Sequence, residues 1–146
     1  MMDGNELRPI PASPAVTAAG VKHVLLTYHY EDVGDFDGYA SLLTEDVAYD
    51  LPGEPPVLGR TAVVRAHSAR ATLHRRHELL TVVAEDDTIV VLGQVVRSDS
   101  GPSERSCDRV EFADVFTLSP HSLVRGRRRY YFAPPLDPTL LPAVHR

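Results

Sequence analysis

Apolar positions in the first half of the chain recur at helical spacing, and those in the second half alternate with a period of two. Val21, Val24, Leu25 and Tyr28 form one stripe over residues 14–32, which predicts a helix with Ser13 as cap and Pro14 in its first turn. Gly34 ends it. Asp35 caps a short second helix through Leu43, with Phe36, Tyr39, Leu42 and Leu43 facing inward. Residues 46–51 read as a short strand closed by the turn Pro52-Gly53-Glu54-Pro55-Pro56. Residues 60–73 return to helical spacing, with Val63, Val64, His67 and Ala71 on one side. Two β-branched runs follow, 77–84 and 89–96, joined by the hairpin Glu85-Asp86-Asp87. A second pair, 104–118 and 123–132, turns near Ser119-Pro120.

Helices first and hairpins later imply an α+β domain, three helices packed on one face of a strongly curved antiparallel sheet. The space between helices and a bent sheet is where a ligand fits. The single domain is expected over 14–133, between a flexible polar tail (1–13) and a Pro-rich one (134–146).

Within the strand 104–118, Asp114 shares a face with Val110, Phe112, Phe116 and Leu118. A lone carboxylate there costs several kcal/mol to bury as a charge. It is paired, held as the neutral acid, or opened to a polar cavity. Arg129 on the next strand is one candidate partner, and Asp50 is the candidate second acid of a shared site.

Composition narrows the function. The net charge of −5 opposes a nucleic-acid partner, since phosphate binding needs a basic field. The single cysteine, Cys107, excludes an internal disulfide and reads as a small packed thiol in a reducing cytosol. No apolar run reaches the roughly 18 residues that span a bilayer, and the first residues do not read as a signal peptide, so the expected location is the cytoplasm. His74 and His77, and His23 and His29, lack metal-ligand spacing, so no metal and no cofactor is expected. Arg125, Arg127, Arg128 and Arg129 read as a solvated strand face, a dimer edge, or a site for a carboxylate or phosphate.

The order helix, helix, strand, helix, four strands resembles the nuclear transport factor 2-like superfamily. Two stretches sharpen the resemblance toward its ketosteroid isomerase and SnoaL-like polyketide cyclase branch. Asp50-Leu51-Pro52-Gly53-Glu54-Pro55-Pro56-Val57-Leu58-Gly59-Arg60 is similar to the isomerase pattern that opens on the proton-abstracting base, here Asp50. Residues 113–131 resemble the last hairpin of those isomerases and put Asp114 on the buried acid that donates to the substrate oxyanion. The resemblance thus implies that Asp114 is a carboxylic acid kept neutral by its apolar site. The resemblance puts His67 where a cavity tyrosine stands and Tyr28 where the oxyanion tyrosine stands; an ungapped register offers Thr27 instead.

Leu43 replaces a supporting tyrosine, and Arg127, Arg128 and Arg129 replace positions that are often apolar, which favours a more polar or anionic ligand. What this implies is a cofactor-independent isomerase or cyclase moving a proton next to a carbonyl of a small polyketide-like or steroid-like substrate. Asp50 would be base, Asp114 with Tyr28 the oxyanion donor, and His67 a relay. Phe112, Phe116 and Arg129 are candidate substrate contacts. A homodimer through the open sheet face, carrying Arg109, Glu111, Val115 and Thr117, is also implied. A binding or accessory protein without chemistry is the alternative. An epoxide-hydrolase-like enzyme is disfavoured, since Arg129 stands where its further acid belongs.

Overall fold

A computed structural model describes residues 14–70, 75–97 and 109–132. Helix α1 (Pro14–Val33) is the longest element. Gly34, at φ 75°, ends it in the left-handed conformation that a glycine adopts at little cost, and Asp35 N–H reaches back to Tyr30 O. Asp35 then caps α2 (Phe36–Ser41) by accepting from Gly38 N–H at 2.9 Å. Helix α3 (Arg60–Ser68) ends before the predicted residue 73; residues 71–73 lie outside the described residues. So do His74, Cys107, both predicted tails and the first part of the strand expected from residue 104.

The strands are β1 (Leu43–Asp50), β2 (Val57–Leu58), β3 (Arg75–Glu85), β4 (Thr88–Arg97), β5 (Arg109–Leu118) and β6 (Val124–Tyr131). They form one sheet in the order β2-β1-β6-β5-β4-β3. The β3–β4 and β5–β6 hairpins lie where the alternation placed them. The expected all-antiparallel sheet needs one correction: β1 runs parallel to β6, pairing Tyr49 with Arg127 and Asp50 with Arg128, so the sheet is mixed. The long connection through β2, α3 and strands β3 to β5 supplies the crossover that a parallel neighbour requires.

Three described helices pack on the inner face of this sheet. The core runs from Val24, Tyr28 and Tyr39 through Val47, Tyr49 and Val63 to Ile89, Val91, Val95, Phe112, Phe116 and Val124. On α1 the buried stripe is Gly20, Val24, Thr27 and Tyr28. Leu25, expected inside, is 39% exposed. A strand inserts one extra residue between Leu79 and Thr81, and such bulges bend a sheet around its contents.

Candidate active site

The inner face of β5 and β6 carries charge where most sheets carry only aliphatics. Cross-strand partners share a face, so the register decides what meets what. Asp114 lies opposite Arg129, and Phe116 opposite Arg127, which in turn lies beside Tyr49. Asp114 is 0% exposed. Arg129 grips it with Nε donating to Oδ1 and Nη2 to Oδ2, both at 2.8 Å. Arg127 Nη2 donates to Oδ2 at 3.0 Å, and Tyr28 O–H donates to the same oxygen at 2.6 Å.

Burial alone drives the Asp114 carboxyl upward, but Arg129 and then Arg127 outweigh it and bring its pKa down to about 2. The sequence-based expectation of a neutral, donating Asp114 is therefore corrected: the acid is ionised and accepts. An arginine partner was one of the outcomes left open, and two arginines fill that place. Tyr28, not Thr27, faces this network; Thr27 O–H turns back to Val24 O at 2.6 Å. Burial, and next the Asp114 charge, hold the Tyr28 phenol well above its usual range, so it stays protonated and donates its hydrogen bond to Asp114.

Aromatic faces support the two guanidiniums. Arg129 lies 4.1 Å from the Phe112 ring centroid, and Arg127 lies 4.9 Å from both Tyr28 and Tyr49 and 5.1 Å from Phe116. Phe112 and Phe116, expected to touch substrate, are wholly buried and carry the arginines instead. Arg127 also binds Glu31 through Nη1. Glu31 Oε2 lies 3.2 Å from His67 Nε2, while His67 Nδ1 lies 2.9 Å from Val63 O. The Tyr39 hydroxyl lies 3.5 Å from the same Nε2, so three neighbours fix the ring's orientation. Burial acts to raise Glu31, but Arg127 and then His67 prevail and hold it well below the carboxylate range.

A narrow cavity of about 40 Å³ opens beside this network, lined in part by Glu31, Tyr49, His67, His77, Arg75 and Arg129. Asp50 does not line it. Tyr49 points inward, and the strand's alternation turns Asp50 to the outer face, next to Arg128. The two acids read as base and oxyanion donor are therefore on opposite sides of the sheet. Among the expected site residues the structure brings His67 and Arg129 to the cavity, and leaves Asp114 and Tyr28 buried outside its lining. The volume is far below the roughly 300–1,000 Å³ of a site for a drug-sized ligand. A steroid or a polyketide exceeds the cavity as it stands.

Sequence reading missed several residues that line or build this cavity, among them His77, Asp32, Tyr49 and Glu31. His77 Nδ1 lies 2.7 Å from Asp32 Oδ1, and its backbone N–H donates to Asp32 Oδ2 at 2.9 Å. Its Nε2 has no hydrogen-bond partner among the described residues. Burial lowers the His77 pKa and the Asp32 hydrogen bond pulls the other way; burial prevails, so the ring is neutral at pH 7. Tyr49, 5% exposed, also has no hydrogen-bond partner there for its hydroxyl, which burial pushes up to about 12. Glu31 could have been found: it follows Tyr28 by three, on the same helix face. His77 carried no local signal, because its partner Asp32 is 45 residues away. Among the described residues no cluster of His, Cys, Asp and Glu offers a metal three ligands, and no helix is long and apolar enough to cross a membrane.

Residues 26–125 match the model of the SnoaL-like domain. No curated protein matches the chain. Solved structures do. Bal32a, from a soil-derived mobile gene cassette, has a TM-score of 0.68 at 18% identity, covering 80% of this chain and 92% of its own. A Kribbella flavida protein provisionally named a ketosteroid isomerase has a TM-score of 0.64 at 16% identity, covering 84% and 86%. A Sinorhizobium meliloti protein provisionally named a polyketide cyclase has 0.63 at 16%, covering 75% and 94%. These likenesses are of fold. With the family model spanning more than half of the sequence, and three helices on a curved mixed sheet, the chain belongs to the SnoaL-like domain family of the nuclear transport factor 2-like superfamily.

Proposed function

We propose that this protein is an acid–base enzyme that moves a proton next to a carbonyl, with His77 as base in place of Asp50. One observation carries this reading: His77 lines the cavity with Nδ1 committed to Asp32 and Nε2 unpartnered among the described residues. A neutral imidazole whose other nitrogen donates to a carboxylate is oriented as a general base. Nε2 takes the proton from the carbon beside the carbonyl. The C–H electron pair forms the enolate, whose charge collects on oxygen. Tyr49, buried and protonated, supplies the donor for that oxygen. The proton returns to another carbon in an isomerisation, or the enolate carbon attacks a second carbonyl in a cyclisation. His67, held by Glu31, relays or orients. The side chains alone supply this chemistry, in a homodimer formed through the outer sheet face, where Val83 and Tyr130 are exposed.

Deuterium uptake tests the reading without the natural product being known. Levulinate, pyruvate and cyclohexanone in D₂O should exchange the protons beside the carbonyl faster with protein than without it. His77→Gln should lower that rate by roughly 10²-fold or more. Exchange that survives in His77→Gln, or none in any compound with wild type, contradicts the reading.

A second reading, ligand binding without chemistry, is favoured by one observation: Asp114 has no exposure and is closed off by Arg127 and Arg129. Under it, compounds bind the cavity and no exchange is seen.

A further inference from the structure

The buried charges behind the cavity balance among themselves. The two acids, Asp114 and Glu31, are matched by the two arginines, Arg127 and Arg129. Two cations on the cavity wall fall outside this balance. Arg70 approaches Glu54 only at 3.9 Å, too long for a hydrogen bond. The side chain of Arg75, the first residue of β3, makes no hydrogen bond or ion pair with any described residue. It is half-buried, and burial, then Arg70, then Arg129 act against its charge. All three arginines line the same cavity. The groups that most favour the Arg75 charge are the phenols Tyr131 and Tyr49 on that wall, with no carboxylate among them.

Like charges gathered at a partly dry wall repel, and an anion between them removes that cost. A guanidinium presents a planar fork that fits a carboxylate through two parallel hydrogen bonds. The cavity of about 40 Å³ has room for roughly three water-sized groups, which a carboxylate group fills, with the rest of the compound toward its open side. We propose that the cavity binds a short carboxylate through Arg75, with Arg70 beside it, so that the compound acted on is a short oxo acid. The carbonyl end of this inference rests on the acid–base reading; the anion site stands on the arginines.

Calorimetric titration separates the two. Pyruvate and levulinate are titrated against their methyl esters, with wild type, Arg75→Gln, Arg75→Lys and His77→Gln, each first shown to be folded by its thermal transition. The acids should bind and the esters should not. Arg75→Gln should weaken the acids by roughly tenfold or more, and Arg75→Lys by less. His77→Gln should still bind the acids in preference to their esters while losing deuterium exchange. Esters that bind as well as acids, acids that do not bind, or an Arg75→Gln variant that binds like wild type would overturn the anion site. Acid binding without exchange in wild type supports the anion site and ends the acid–base reading alone.

Discussion

Asp114 and Arg129 face each other across β5 and β6 and meet through two N–H···O contacts of 2.8 Å each. The pair turns a carboxylate that has no exposure into a structural anchor for two arginines. Removing it leaves Arg127 with Glu31 alone and Arg129 with no acid. Asp114→Ala is expected to destabilise the fold by about 3–5 kcal/mol, read as a lower urea midpoint. A loss under about 1 kcal/mol would show that the arginines find other partners.

Acid should unfold the protein through the same groups. The folded pKa of Asp114 is depressed to about 2, and Glu31 is also depressed. A group depressed in the folded state contributes stability that is fully present above its unfolded value, near 4 for a carboxylate, and lost as pH falls through its folded value. For Asp114 this amounts to about 2 kcal/mol. Urea midpoints should therefore fall from about pH 5 toward pH 2, more shallowly in Glu31→Gln. A midpoint that is flat across that range would contradict the ion network.

Asp50 provides the sharpest contrast between sequence and structure. It lies on the outer face beside Arg128. Asp50→Asn should leave deuterium exchange within about twofold of wild type and stability within about 0.5 kcal/mol. A loss of roughly 10²-fold in exchange would restore Asp50 as the base and displace His77.

Asp32 acts through His77 and is a positioning residue. Asp32→Asn removes the hydrogen bond that raises the His77 pKa against burial. Exchange should slow by roughly 10-fold or more, and the acid limb of its pH profile should move to lower pH, with Asp32→Glu recovering part of the rate. A slower rate with an unmoved profile would mean that Asp32 only supports the fold.

Much of the architecture was legible because local pattern encodes it. Gly34 and Asp35 marked the break between α1 and α2, and alternation placed both hairpins. The parallel pairing of β1 with β6 was not, since it joins residues about 80 positions apart and leaves no local trace. Asp114 was correctly read as buried. Its protonation was misread because the partner register, Arg129 opposite and Arg127 next on the same face, decides it. Asp50 was drawn into the site by its motif, although Tyr49 and the strand alternation already pointed it outward. Leu25 misled in the opposite way: helical spacing put it on the stripe, yet the buried face runs through Thr27 and Tyr28 toward Glu31.

The acid–base account depends on one bare ring nitrogen, Nε2 of His77. Long-range proton–nitrogen correlation NMR on ¹⁵N-histidine-labelled protein, assigned against His77→Gln, reads it directly. The account expects a neutral ring at pH 7 with the proton on Nδ1, toward Asp32, and a His77 pKa below 6.5. A proton on Nε2 in the neutral ring, or a ring that stays doubly protonated at pH 7, would contradict it.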